Sequence, residues 1–263
     1  MRPSLSYHLA RHPLLVSVLL CAMAAAPAIW PVASHATTVR GSGTAATETR
    51  TLPEFQAIAL NGGMDLVVRQ GPVQSVQVLA DDNLLPMLET VVESGSKGAT
   101  LQVRWKRDSG GWFGGSNSVQ TRTKVLVTVV VPKLTALSTA GAGDIRLETF
   151  STPVLQVSIS GSGDTRLQGL STDELGVRIS GSGNVSGQGT AARTTVSIAG
   201  SGDVKLTEMR SDEVKVSIAG SGEAAVNAQK TLSVSIAGSG DVVYVGNAEV
   251  KSSVAGSGSV KKK

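Results

Sequence analysis

A chain of 263 residues with one cysteine, three histidines and a formal charge of +4 is long enough for one large domain or two small ones. Cys21, His8, His12 and His35 all fall within the first 36 residues, so the rest of the chain holds neither residue type. That composition excludes Ser-His-Asp and Cys-His catalysis and any His/Cys zinc site beyond residue 36, and leaves acid–base work to carboxylates, lysines or Tyr244.

The first element is a targeting segment. Arg2 and Arg11 precede an apolar stretch at 13–29, and Ser34-His35-Ala36 places small residues at the −3 and −1 positions of a cleavage site. Residues 1–36 therefore read as a cleaved signal peptide. An uncleaved anchor is the alternative, but the apolar run is short for a membrane span and Pro27 and Pro31 interrupt its continuation. Leu20 stands before Cys21 where a lipoprotein signal needs a small residue, so lipidation is not expected. Cleavage removes two arginines and no acid, taking the charge from +4 to +2. A near-neutral chain carries no nucleic-acid footprint. The protein is expected to be exported, periplasmic or at the cell surface, with no transmembrane span after cleavage. Without disulfides, its core and backbone ladder must hold it.

Residues 37–50 are polar and rich in Thr and Gly, and read as a flexible linker. Residues 51–139 read as a less regular β part. "EFQAIALNGGMDLVVRQG" at 54–71 resembles one degenerate coil, and "VQSVQVLA" at 73–80 and "TLQVRW" at 100–105 read as strands. "DDNLLPMLETVVE" at 81–93 is expected to hold a short helix limited by Pro86. "TKVLVTVVVPKLTAL" at 123–137 leads into regular coils over 140–260.

Those coils start at Ala140, Ser160, Ser180, Ala199, Ala219, Ala237 and Ala255, at intervals of 18–20 residues. In 196–206, Val196, Ile198, Gly200, Gly202, Val204 and Leu206 alternate with polar or small residues. A period of two sends one set inward and the other outward. The paired glycines fall where the coil bends and allow dihedrals closed to other residues. No helical periodicity competes. The expected fold is all-β: a right-handed parallel β-helix, a solenoid of 18–20-residue coils. Its core would include the column Ile159, Ile179, Ile198, Ile218, Ile236 and Val254.

The order L-x-x-F-x-x-I-x-L-N-G-G-M-D-L-x-V-x-Q-G, then D-D-N-L-L, then V-V-V-P-K-L, then A-G-A-G-D and S-G-S-G-D coils, resembles the head GIN domain family, over about residues 51–258. The resemblance implies an exported β-helical fold and an adhesive role, and brings no catalytic residues with it. The 263 residues leave no room for the many-stranded barrel of an auto-transporter, so this chain is expected to lack a pore of its own.

Stacking would align Asp144, Asp164, Asn184, Asp203, Glu223 and Asp241 in one column, where like charges repel. One answer is a calcium column on Asp144, Asp164, Asp203, Glu223 and Asp241. Yet the motif occurs once per coil without a facing partner, and Asn184 and Glu223 break the ligand set. The favoured answer is structural. Arg146, Arg166 and Lys205 each follow an acid by two residues and share its face, and Ser186 replaces the base where Asn184 replaces the acid. The acids also suit hydrogen bonds from turn amides. Neighbouring carboxylates would lie near the separation used by retaining glycosidases, which any acidic ladder produces.

Three of the six aromatics beyond residue 36 cluster at Trp105, Trp112 and Phe113, among Arg104, Lys106 and Arg107. They could contact a glycan, a protein or a membrane surface. Alternatively Trp105 ends a strand and is buried, while Trp112 and Phe113 cover an open end of the core. The outward serines Ser158, Ser197, Ser217, Ser235 and Ser253 form a flat face that reads as solvated, and Lys261–Lys263 guards a strand edge. The sequence thus points to an exported, non-catalytic module that binds an envelope or surface component, glycan or protein, with no cofactor. The alternatives are a carbohydrate-active enzyme or a calcium-stabilised scaffold built on the acidic column.

Overall fold

Parallel strands stacked by hydrogen bonds dominate a computed structural model of the protein, which describes residues 38–95, 98–106 and 118–263. The chain is a parallel β-solenoid of about six turns. The register confirms the expected coils. Ala140 pairs with Ser160, and the same column runs on through Ser180, Ala199, Ala219, Ala237 and Ala255.

The alternation decides what is buried. Ile159, Ile179, Ile198, Ile218 and Ile236 stack with at most 2% exposure, and Val157, Val177, Val196 and Val216 form a parallel buried column. Each such side chain contributes about 1.5–3 kcal/mol of burial. β-Branched residues suit this role because their restricted χ1 fits the pleated surface. Val254, expected to close the isoleucine column, is 41% exposed instead. It lies in the last described coil, Glu249–Gly256, and only Ile236 packs over it in register.

The glycine pairs make the bend. Gly161, Gly181, Gly200, Gly220, Gly238 and Gly256 all hold φ between +131° and +139°, a region disfavoured for side-chain-bearing residues. A Cβ on any of them would also lie 2.0–2.5 Å from the carbonyl oxygen of the matching glycine one coil earlier. The second glycine of each pair has ordinary φ but the same crowding. At Gly202 a Cβ would fall 2.3 Å from the Gly183 oxygen.

The amino-terminal part builds the start of the stack in an order the sequence does not reveal. Strands Ala57–Asn61 and Asp65–Gln70 form a coil around the Gly62-Gly63 bend. That coil pairs with Ala136–Gly141 and Ile145–Leu147 on one side. On its other side lie Gly98–Trp105 and Leu126–Val131, again parallel. Antiparallel strands then close this end. Leu88–Gly95 pairs with Gly98–Trp105, and Ser75–Asp81 pairs with Leu126–Val131 and with Ala45–Arg50.

Two expectations are corrected here. Residues 45–50 are a strand rather than a flexible linker. Its alternation is hidden because only Ala46 packs on the core, so the strand is held chiefly by its ladder to Ser75–Asp81. The expected helix in 81–93 is one 3-10 turn at Leu85–Met87, followed by strand Leu88–Gly95. Thr90, Val91 and Val92 favour the extended chain, and Arg104 pairs across the hairpin with Glu89 at 2.8 Å and Glu93 at 2.9 Å. No helix among the described residues is long and apolar enough to cross a membrane. The signal-peptide segment lies outside the described residues.

Candidate functional site

Each turn of the solenoid carries a polar residue at the first position past the glycine bend, an acid in all but Asn184 and Ser259. There the column expected at Asp144, Asp164, Asn184, Asp203, Glu223 and Asp241 is formed, and it is longer than expected, running from Asp65 to Ser259. Its members serve the backbone. The Oδ1 of Asp65 accepts the amide of Asp144 at 3.1 Å, and Asp144 Oδ1 accepts that of Asp164 at 3.1 Å. Asn184 donates its Nδ2 to Asp164 at 2.9 Å and accepts the Asp203 amide at 3.2 Å. Asp203 accepts the Glu223 amide at 3.1 Å. Glu223, one methylene longer, breaks the series, and the Asp241 amide turns to the Gly222 carbonyl at 3.3 Å. Asp241 resumes it, accepting both the amide and the hydroxyl of Ser259 at 2.9 and 2.6 Å. The Ser259 hydroxyl, then its amide, holds the Asp241 carboxyl below the usual range.

The bend explains why an acid is wanted. The chain turns out of the parallel ladder there, and at Asp144, Asp164, Asp203, Glu223 and Ser259 the amide goes to a side-chain oxygen one coil earlier in place of a carbonyl. The expected acid–base pairs are only partly made. Arg166 lies 3.3 Å from Asp164 and 4.0 Å from Asp144, and Lys124 pairs with Asp65. Among the described residues Arg146 and Lys205 come within 4 Å of no carboxylate. The amides already orient the carboxylates, so neighbouring bases are not drawn in. Among the described residues no group of three acids is arranged to hold a metal ion.

A second acidic cluster went unnoticed as chemistry although its D-D-N letters stood out. Asp81 is fully buried. It accepts the amides of Gly43 and Arg122 at 2.9 Å each, the Thr123 amide at 3.2 Å, and the Thr123 hydroxyl at 2.8 Å. Burial pushes its carboxyl up, but the Arg122, Thr123 and Gly43 donors together outweigh that and hold it at about 2. Asp82 accepts the Ser42 hydroxyl, and Asn83 bonds both the Ser42 amide and the Arg40 carbonyl at 2.9 Å. The triplet clamps the segment before Ala45–Arg50 onto the stack.

Trp105 ends strand Gly98–Trp105 opposite Leu88, half-buried and packed on the core. Its indole lies over Gly62, where a Cβ would meet it at 3.4 Å. Trp112 and Phe113 lie outside the described residues. The serine column is formed as expected, except that Arg178 interrupts it between Ser158 and Ser197. Of the expected lysine guard, Lys261 and Lys262 belong to the last strand, paired with Val243 and Tyr244.

A concavity lies on the flank just past the bend. A groove of about 350 Å³ is lined by Arg166, Ser186, Lys205, Gln168, Gln188 and Thr207, with Leu167, Gly187 and Glu208 completing it. Its cause is local. Arg166, Ser186 and Lys205 are register partners on three successive coils, so a serine stands between two bases. One residue on, Gly187 pairs with Leu167 in the leucine column. Gly187 faces the core, where Leu206 and Met209 take up the space, so the outward side chain cut back is that of Ser186.

The comparisons agree with this architecture. None of the curated proteins compared matches the chain. A crystal structure from Parabacteroides distasonis described as a "putative lipid binding protein" is 26% identical, with a TM-score of 0.73 over 86% of this chain and 100% of its own. One from Bacteroides fragilis described as a "putative adhesin" is 23% identical, with a TM-score of 0.75 over 86% and 100%. Another "putative adhesin", from Parabacteroides merdae, is 24% identical, with a TM-score of 0.67 over 87% and 100%. The family model described as "Putative auto-transporter adhesin, head GIN domain" matches residues 54–248. With most of its length matched and the same stacked fold, the chain belongs to the head GIN domain family.

Proposed function

We propose that this protein is an exported, non-catalytic binding module of the cell envelope or surface, of adhesion type. The observation that carries this reading is the use made of the repeated acids. In the one series of chemically capable groups that recurs along the chain, Asp65, Asp144, Asn184, Asp203 and Asp241 each accept a backbone amide of the next coil, and Asp164 accepts the Asn184 side-chain amide. A retaining glycosidase needs one carboxylate free to attack and another free to carry a proton. Carboxylates held by amides are oriented acceptors, poorly placed for either role. What the fold offers instead is a rigid prism with long lateral faces, suited to presenting contacts. The name of the family accords with that role. A lipid ligand, named for one of the similar structures, needs an apolar cavity, whereas the groove is lined mostly by polar residues and its Leu167 side chain is buried in the core.

The test pairs binding with turnover. The protein is expected to co-sediment saturably with isolated bacterial envelopes or bind surface polysaccharide, and to release no reducing ends from a broad polysaccharide panel. Release of sugar that disappears in an Asp164→Asn, Asp203→Asn double variant would overturn the reading. So would failure to associate with any envelope fraction.

A further inference from the structure

We infer that the groove between Arg166 and Lys205 is a binding site for one carboxylate-bearing sugar of an acidic polysaccharide. This rests on the binding-module reading above and names the place and the chemistry.

The groove arises from one aberrant coil. In register, 164–168 reads Asp-Thr-Arg-Leu-Gln, 184–188 reads Asn-Val-Ser-Gly-Gln, and 203–207 reads Asp-Val-Lys-Leu-Thr. The middle coil has a serine where its neighbours carry a base, and the register slips between Ser186 and Gln188. Arg166 and Lys205, two coils apart, therefore face each other across roughly 10 Å with a serine hydroxyl at the floor. A single planar anion fits that interval, taking guanidinium and ammonium donors from opposite sides and the hydroxyl from below.

The charge count selects the anion. Arg166 and Lys205 bring two positive charges and Glu208 one negative charge, leaving a single net positive charge in the lining. That suits a monoanionic carboxylate better than a phosphate dianion, which Glu208 would repel. Arg166 is partly neutralised by Asp164 and Asp144, while Lys205 has no carboxylate within 4 Å among the described residues. Lys205 is thus the cation available to a ligand.

The remaining lining selects what carries the anion. Gln168, Gln188 and Thr207 alternate donors and acceptors along the walls, and Glu208 accepts from hydroxyls. Such a set matches the ring hydroxyls of a sugar. Leu167, the one apolar residue besides Gly187, turns its side chain into the core, so a peptide side chain or acyl tail finds little to bury. No aromatic lines the groove, so neither a nucleobase nor a neutral sugar has a ring to stack on. At about 350 Å³ the space lies at the small end of ligand sites, enough for little more than one ring.

The test is calorimetric titration of the protein with trigalacturonate and triglucuronate, with neutral trigalactose and inorganic phosphate as comparison probes. One acidic trimer is expected to bind, more weakly as salt rises. Lys205→Gln is expected to weaken it at least about tenfold, the loss of one charge-assisted hydrogen bond. Ser186→Leu, which fills the gap between the two bases on the outward face, is expected to abolish binding. Arg178→Gln, on the serine face, is expected to leave binding unchanged. The inference is overturned if neither acidic trimer binds, if trigalactose or phosphate binds as tightly, or if Lys205→Gln has no effect. Should those failures come with intact envelope association, the module reading survives and only this site is wrong. If envelope association is absent too, both fall.

Discussion

Asp81 shows how one side chain can hold a segment that looks unstructured. Its two oxygens gather donors from Gly43, Arg122 and Thr123, and a Cβ at Gly41 would strike it at 2.1 Å. The folded carboxyl sits at about 2, below the ordinary 3.8. A depressed pKa gives stability that is complete above pH 3.8 and is lost as pH falls through about 2. Acid titration followed by circular dichroism should therefore show the melting temperature dropping in that window, and Asp81→Asn should flatten the drop and lower the neutral-pH plateau. Asp82→Asn, at an exposed position, should do less. At the same scale, Thr139 and Thr165 bury hydroxyls that have no hydrogen-bond partner. Each stands in a column otherwise filled by aliphatics. Thr165→Val and Thr139→Val are expected to stabilise by about 1 kcal/mol each, read from urea midpoints; a loss of stability would show that the hydroxyls are satisfied.

The coil is the next scale, and its constraints are repeated rather than local. Gly202→Ala would drive a methyl into the Gly183 carbonyl, backbone that cannot move without shifting a whole coil. It is expected to cost about 3 kcal/mol or more, whereas Ala199→Ser, at the exposed position beside the bend, should be nearly neutral. Asn184 shows that an amide can occupy the acid column and still accept the next coil's N–H. Asp144→Asn should accordingly be tolerated, while Asp144→Ala should lose about 1 kcal/mol with the acceptor of the Asp164 amide. If the column instead held calcium, the two variants would behave alike and melting would depend on the metal. A ligand at 100 times its dissociation constant adds about 2.7 kcal/mol. We expect superimposable melting curves with calcium and with chelator.

Over the whole molecule, position in the stack sets the worth of identical residues. Ile198 lies between Ile179 and Ile218, but Val254 has a register neighbour on one side only among the described residues. Ile198→Thr is expected to cost about 2 kcal/mol or more, and Val254→Thr less than about 0.5 kcal/mol, both by urea unfolding. Equal costs would mean that the last coil is covered in solution. At the other end, the antiparallel strands Ala45–Arg50 and Leu88–Gly95 interrupt the parallel stack. A change of strand direction denies an incoming coil its matching edge.

From letters alone, the coil starts, the inward columns and the bend glycines could be read, because a period of two and a repeat of 18–20 residues are properties of one strand and of chain length. The acid column could be placed for the same reason, though its hydrogen bonds to the following coil were only one of several readings. The polar strand Ala45–Arg50 and the strand after Pro86 were misread, since neither buries enough of one face to show its alternation. The tertiary structure alone decided that residues 57–70 stack between strands drawn from later in the chain, and that Asp81 reaches donors about 40 residues away in both directions. It also decided the groove. Ser186 looks like ordinary repeat variation until the register sets it between Arg166 and Lys205, because a cavity is a relation among coils, and no single coil encodes it.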